Sequence, residues 1–163
     1  MATCDDVPLA WFGDLARDRT ELERQMLRWY TGGETEAARL AALRPDVERT
    51  LRGDLDGWAE TARGRLALVL LLDQLTRTTY AGTAQAFAGD AKAIALAHDA
   101  LDRGLDRELA FAERHFLIMP LLHSERVADV ERAGREFARN AHLSPPWQGP
   151  PRVHAELLRN RER

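Results

Sequence analysis

The sequence predicts an all-α protein, a single domain over residues 1–163 of seven to nine antiparallel helices around one buried central helix. Three observations carry this reading. Apolar residues recur at spacings of three and four along most of the chain. No segment sustains the alternation of a strand. One segment, 65–80, is apolar on nearly every side, as a helix enclosed by others must be. A length of 163 residues suffices for one core, and 45% hydrophobic residues with a net charge of only -3 exclude wholesale disorder.

The first helix is expected to open near Pro8, which suits the first helical position. Trp11, Leu15, Leu22, Met26 and Trp29 continue it at helical spacings, with room for a break at 18–20, until Gly32 and Gly33 stop it. A short helix over 34–44 follows, and Pro45 opens another with Val47, Leu51, Leu55 and Trp58 in one stripe. The central helix, 65–80, contains the run LALVLLLDQL and ends at Ala81 and Gly82. Asp90 is placed to cap a helix ending at Arg103, with Gly104 as its stop. Asp106 is placed to cap the next, whose Leu109, Ala112 and Phe116 line one side until Pro120. A long helix over 124–139 carries Val127, Val130, Gly134 and Phe137. The run SPPWQGPP, 144–151, reads as a proline-rich turn or arm, with a short amphipathic helix over 152–161 behind it. Helix pairs stacked as a short solenoid would give the same pattern.

Composition narrows the function classes. The mild net charge gives no electrostatic reason to expect a nucleic-acid partner, and Lys92 is the only lysine. Cys4, alone, can form neither an internal disulfide nor a thiolate metal site. The opening MATCDDVPLAWF is acidic where a signal peptide is basic. The most apolar run, 66–72, is far shorter than the roughly 20 residues that span a bilayer. These features predict a cytoplasmic protein with no membrane partner.

Chemistry concentrates in two places. Asp73 and Arg77 stand four apart on one face of the apolar helix, with Gln74 adjacent and Tyr80 extending that side. A buried carboxylate needs a partner, so a structural ion pair and a ligand-facing pair fit this spacing equally well. In HFLIMPLLHSE, 115–125, Pro120 interrupts the helical ladder just before His123, Ser124 and Glu125. Ser124 can cap the last long helix, and Glu125 suits its dipole. His123 is either a packing histidine or a proton shuttle. Asp73 and His123 each interrupt strongly apolar surroundings, so they are expected to meet in one pocket.

Other candidates read as structural. His98 lies on an apolar stripe with Ile94 and Leu101 and reads as a core histidine. His115 and His123, eight apart, fit no standard helical ligand pair, and no metal or other cofactor is expected. No glycine-rich phosphate loop, nucleophile elbow or C-x-x-C is present. Arg132, Arg135 and Arg139, like Arg24 and Arg28, are interleaved with acids and read as solvated faces.

Three separated motifs resemble the DUF924 family, bacterial proteins of uncharacterised function with a tetratricopeptide-like fold. They are GRLALVLLLDQLTR (64–77), GTAQAFAGDAKA (82–93) and FLIMPLLHSE (116–125), and the N-terminal WFGDL is similar to the family's opening segment. The resemblance implies that Leu72, Asp73, Gln74, Arg77, Asp90, Pro120, His123, Ser124 and Glu125 occupy signature positions sharing a pocket. The family pattern reads Leu-Asp-Gln-Phe-Pro-Arg-Asn, with a further arginine before Gly-Thr. Here Leu75, Thr76, Thr78 and Ala81 depart from it. The family's C-terminal Phe-Gly-Arg-Phe-Pro-His-Arg-Asn is answered by WQGPPRVH, 147–154, which keeps Pro151 alone of the proline, histidine, arginine and asparagine. If the family's ligand is anionic, these departures imply a less charged one here.

Two functions follow as expectations. One is a cofactor-independent enzyme acting on a small polar or amino-acid-like metabolite. His123 would be its acid or base, Glu125 or Asp73 would orient the ring, and Arg77 with Gln74 would hold a carboxylate or carbonyl. Tyr80, Trp58 and Trp147 would form an aromatic wall, with Ser124 also in the pocket. The alternative is a non-catalytic helical module that binds a peptide, a protein or a small ligand on a concave surface.

Overall fold

The protein's computed structural model describes residues 1–13, 25, 28, 29, 31 and 33–143, without the side chains of 141–143. Among these residues the structure is all-α, with no strand. The helices are α1 (Asp6–Phe12), α2 (Gly33–Leu40), α3 (Arg44–Arg52), α4 (Ala62–Val69), α5 (Thr76–Thr79), α6 (Asp90–Asp102), α7 (Phe111–His123) and α8 (Val127–Leu143). Short 3-10 turns join several of them, and none is long and apolar enough to cross a membrane.

The apolar run is buried as expected, with every residue from Leu66 to Leu72 no more than 1% exposed. Its neighbours are α1, α6 and α7 around α4, and α3, α6 and α7 around the segment that follows. Thr61 caps α4 by accepting from the Gly64 N–H at 3.0 Å. Between α4 and α5 the rod does not stay α-helical: Leu70–Leu75 forms a π turn. A π turn widens the backbone and displaces carbonyls from their usual donors. Three of those carbonyls are satisfied by side chains. Thr76 Oγ1 donates to the Leu71 oxygen at 2.6 Å, Arg77 to the Asp73 oxygen at 3.0 Å and Thr78 to the Gln74 oxygen at 3.1 Å.

Several expected boundaries move for local reasons. The first helix stops at Phe12, because Gly13 turns the chain with φ 65°; residues 25, 28, 29 and 31 are helical again, and Gly33, with φ 47°, is the first residue of α2. Leu55 and Trp58 lie beyond α3, which ends at Gly53 with φ 90°. Pro120 does not end α7: the helix continues to His123 with Pro120 buried inside it. One proline removes one ladder bond, and the buried face of α7 outweighs it. Asp106 does not cap α7 either. Its place is taken by Glu113, which reaches back to the Ala110 N–H at 2.9 Å, while Asp106 is buried and bonded by Arg139 at 2.7 Å. The last long helix starts at Val127, three residues later than expected. The expected break at 18–20, the arm at 144–151 and the helix at 152–161 lie outside the described residues.

Candidate functional site

The π turn presents Asp73, and two other parts of the chain converge on it. The Asp73 side chain is 1% exposed, yet every oxygen it carries is engaged. Oδ1 accepts from Arg77 Nη1 at 2.8 Å and from His123 Nδ1 at 2.8 Å, and Oδ2 accepts from Gln74 Nε2. The expected meeting of Asp73 and His123 across fifty positions is therefore present. An ionised carboxylate can only accept, so Nδ1 of His123 carries a proton, and in the neutral ring Nε2 retains a lone pair. The His123 side chain is 28% exposed, so the ring is partly open to solvent while its anchor is dry.

Arg77 bridges a second carboxylate that the spacing did not reveal. Its two terminal nitrogens meet the two oxygens of Asp90 at 2.8 and 2.9 Å, a bidentate pair. Asp90 is the first residue of α6 and makes no capping bond there, so the expected cap is instead an arginine partner. Gly89 permits this approach. A β-carbon at that position would lie 2.2 Å from the Leu72 carbonyl oxygen, a backbone atom that cannot step aside. The exposed Phe87 ring covers the guanidinium, 5.4 Å from ring centroid to Cζ.

The other expected members of the pocket stand elsewhere. Glu125 is exposed and makes no hydrogen bond or ion pair among the described residues, so Asp73 alone orients His123. Ser124 turns to a second cluster, donating to Asp129 Oδ2 at 2.7 Å. Tyr80 stacks with Arg44, and Trp58 packs against the core from a 3-10 turn, so neither is brought to Asp73 by any contact the structure gives. Trp147 lies outside the described residues.

His98 is not a core histidine. Its Nε2 meets Asp129 Oδ1 at 2.8 Å and its Nδ1 accepts from Arg132 at 2.8 Å. The Ser124 hydrogen bond, with His98 and Arg126 assisting, holds the buried Asp129 carboxyl below the usual carboxylate range although burial opposes this. Arg132 also bonds Asp102 at 2.6 Å, and Arg139 bonds Asp106 and Glu136. These two arginines tie α8 to its neighbours rather than forming a solvated face. Arg135 and Arg28 are exposed as expected.

Beside Gln74 and Arg77 an open cleft of about 410 Å³ runs toward α2. Its aromatic wall is Trp11 and Trp29, which stack at 6.1 Å between centroids, and not the expected Tyr80 and Trp58. Thr78 and Ala81, two of the positions that depart from the resemblance, also line it, whereas His123 does not. No group of three His, Cys, Asp or Glu side chains among the described residues is arranged to hold a metal ion.

A buried carboxylate, on a π turn, shared between an arginine and a histidine from a distant helix defines an all-helical protein with an internal polar centre. The chain belongs to the DUF924 family, described as bacterial protein of unknown function, whose model matches residues 7–157. It is similar to the solved structure of a protein of unknown function, ATU0120 from Agrobacterium tumefaciens, at 28% identity and a TM-score of 0.67 over 85% of this chain and 78% of that one. No curated protein matches it.

Proposed function

We propose that this protein is a cytoplasmic enzyme that needs no cofactor and acts on a small polar, amino-acid-like metabolite by general acid–base chemistry. In this reading the helices form a tetratricopeptide-like array of seven to nine members around the rod 62–79. The observation that carries it is the 2.8 Å bond from His123 Nδ1 to buried Asp73. Such a bond fixes the ring orientation and leaves Nε2 to take a proton from, or return it to, a bound molecule. Proton transfer of this kind contributes roughly 10²- to 10⁴-fold to a rate. Arg77, itself held by Asp73 and Asp90, acts as a rigid wall beside Gln74, whose Oε1 can accept from a ligand.

A second reading, a non-catalytic module for a peptide or small ligand, is favoured by the cleft, which is open and excludes His123 from its lining. Incubation with a bacterial metabolite extract, followed by mass spectrometry, separates the two. The enzyme reading expects at least one small polar metabolite to be consumed by the wild type and not by His123→Gln, with both proteins unfolding at the same temperature. Identical profiles for the two proteins would overturn it, and retention of a metabolite without conversion would favour the module.

A further inference from the structure

The cleft between α2 and the end of the rod 62–79 holds an unspent set of recognition groups. Arg28 and Glu34, both in its lining and both exposed, have no ion-pair partner among the described residues. The remaining charges nearby are already matched. Glu36 is bonded by Arg39, which with lesser help from Arg28 draws its carboxyl below the usual range, and Arg77 is clamped by Asp73 and Asp90. Two uncharged groups are also unmatched. The Trp11 indole N–H, in a side chain only 4% exposed, has no acceptor among the described residues, and Gln74 turns one amide N–H to Asp73 and keeps its oxygen. Trp29 cannot relieve Trp11, because an indole N–H only donates, here to the Trp11 carbonyl at 3.2 Å. Among the described residues the cleft thus offers a cation and an anion without an ion-pair partner, an unbonded donor and an acceptor, against a stacked pair of indoles.

A simple anion would satisfy Arg28 and leave Glu34 repelling it. A simple cation would do the reverse. We infer that the cleft binds a zwitterionic free α-amino acid with an aromatic or other apolar side chain. Its carboxylate lies toward Arg28 and the Trp11 N–H, its ammonium toward Glu34 and the Gln74 oxygen, and its side chain packs on Trp11 and Trp29. Only the choice of a small polar molecule rests on the proposed function; His123 does not line this cleft, so binding without turnover tests the cleft separately.

The test uses tryptophan fluorescence and calorimetry with L-phenylalanine, N-acetyl-L-phenylalanine, which lacks the ammonium, and L-phenylalaninamide, which lacks the carboxylate. The two derivatives also mimic the C-terminal and N-terminal residues of a peptide. The free amino acid is expected to bind at least about tenfold tighter than either derivative, the scale of one charge-assisted contact. Arg28→Gln should lower affinity for the free and acetylated forms and leave the amide unchanged, and Glu34→Gln should do the converse. Arg135→Gln, at an exposed arginine outside the cleft, should leave all three affinities as they are, so loss of a recognition group is told apart from loss of any surface charge. Equal binding of the three probes, no detectable binding of L-phenylalanine, or indifference to both surface variants would overturn the inference.

Discussion

Replacing Arg77 by Met keeps most of the aliphatic stem and removes the guanidinium that joins Asp73 to Asp90. The two carboxylates respond differently. Asp90 is 26% exposed and rehydrates, so its share of the loss is that of a surface pair. Asp73 is 1% exposed and keeps only Gln74 and His123, while its backbone oxygen also loses a donor. A charge left wholly without partners in a core costs about 3–5 kcal/mol. With two donors retained, Arg77→Met should cost about 2 kcal/mol in urea unfolding followed by tryptophan fluorescence. Neutralising the stranded charge should recover part of it, so Asp73→Asn and Arg77→Met combined should be less damaging than the sum of the singles by at least about 1 kcal/mol. A cost for Arg77→Met below about 0.5 kcal/mol, or additivity of the two substitutions, would refute the reasoning.

Two further outcomes follow from the same geometry. Gly89→Ala drives a β-carbon into the Leu72 carbonyl and should displace the start of α6, so a crystal structure of the variant should show the Arg77–Asp90 pair broken or lengthened while α8 keeps its place. Ser124→Ala removes the main cause of the lowered Asp129 value. In the wild type the unfolded chain binds protons at Asp129 before the folded chain does, so the stabilisation is complete above the unfolded carboxylate value of about 3.9 and is lost as pH falls through the folded one. Urea unfolding from about pH 6 down to about pH 3 should therefore show the wild type's advantage over Ser124→Ala shrinking toward the acid end, and an advantage independent of pH would contradict it.

What the sequence made legible was local or obligatory. The buried run 66–72 shows itself because no polar face interrupts it, and Asp73 with Arg77 is a matter of helical spacing. His123 was legible for a different reason: a polar group in apolar surroundings needs a partner, and Asp73 had the same need. Asp90 was misread because an acid at the start of a helix has an ordinary role as a cap, and only the close approach through Gly89 reassigns it to Arg77. The glycine immediately before that acid was the available signal. The π turn left none, since hydrophobic periodicity over six residues does not separate it from an α turn. Pro120 was read too strictly, because its cost is set by the backbone and its benefit by burial that only the packed structure supplies. The bond of His98 to Asp129, like the Trp11–Trp29 cleft, joins residues far apart on polar or aromatic patterns with no fixed spacing, and Ser124 reaches Asp129 over five positions, a spacing no helical rule singles out.

The central claim is that buried Asp73 fixes the His123 ring through Nδ1 and leaves Nε2 for chemistry. Nitrogen-15 spectroscopy of the histidine side chains near pH 8 reads this directly, with His123→Gln assigning the resonances. For the neutral ring the geometry predicts the Nδ1–H tautomer, reverting toward the Nε2–H form preferred by free imidazole side chains in Asp73→Asn. A wild-type His123 already in the Nε2–H form, or one unmoved by Asp73→Asn, would contradict the account.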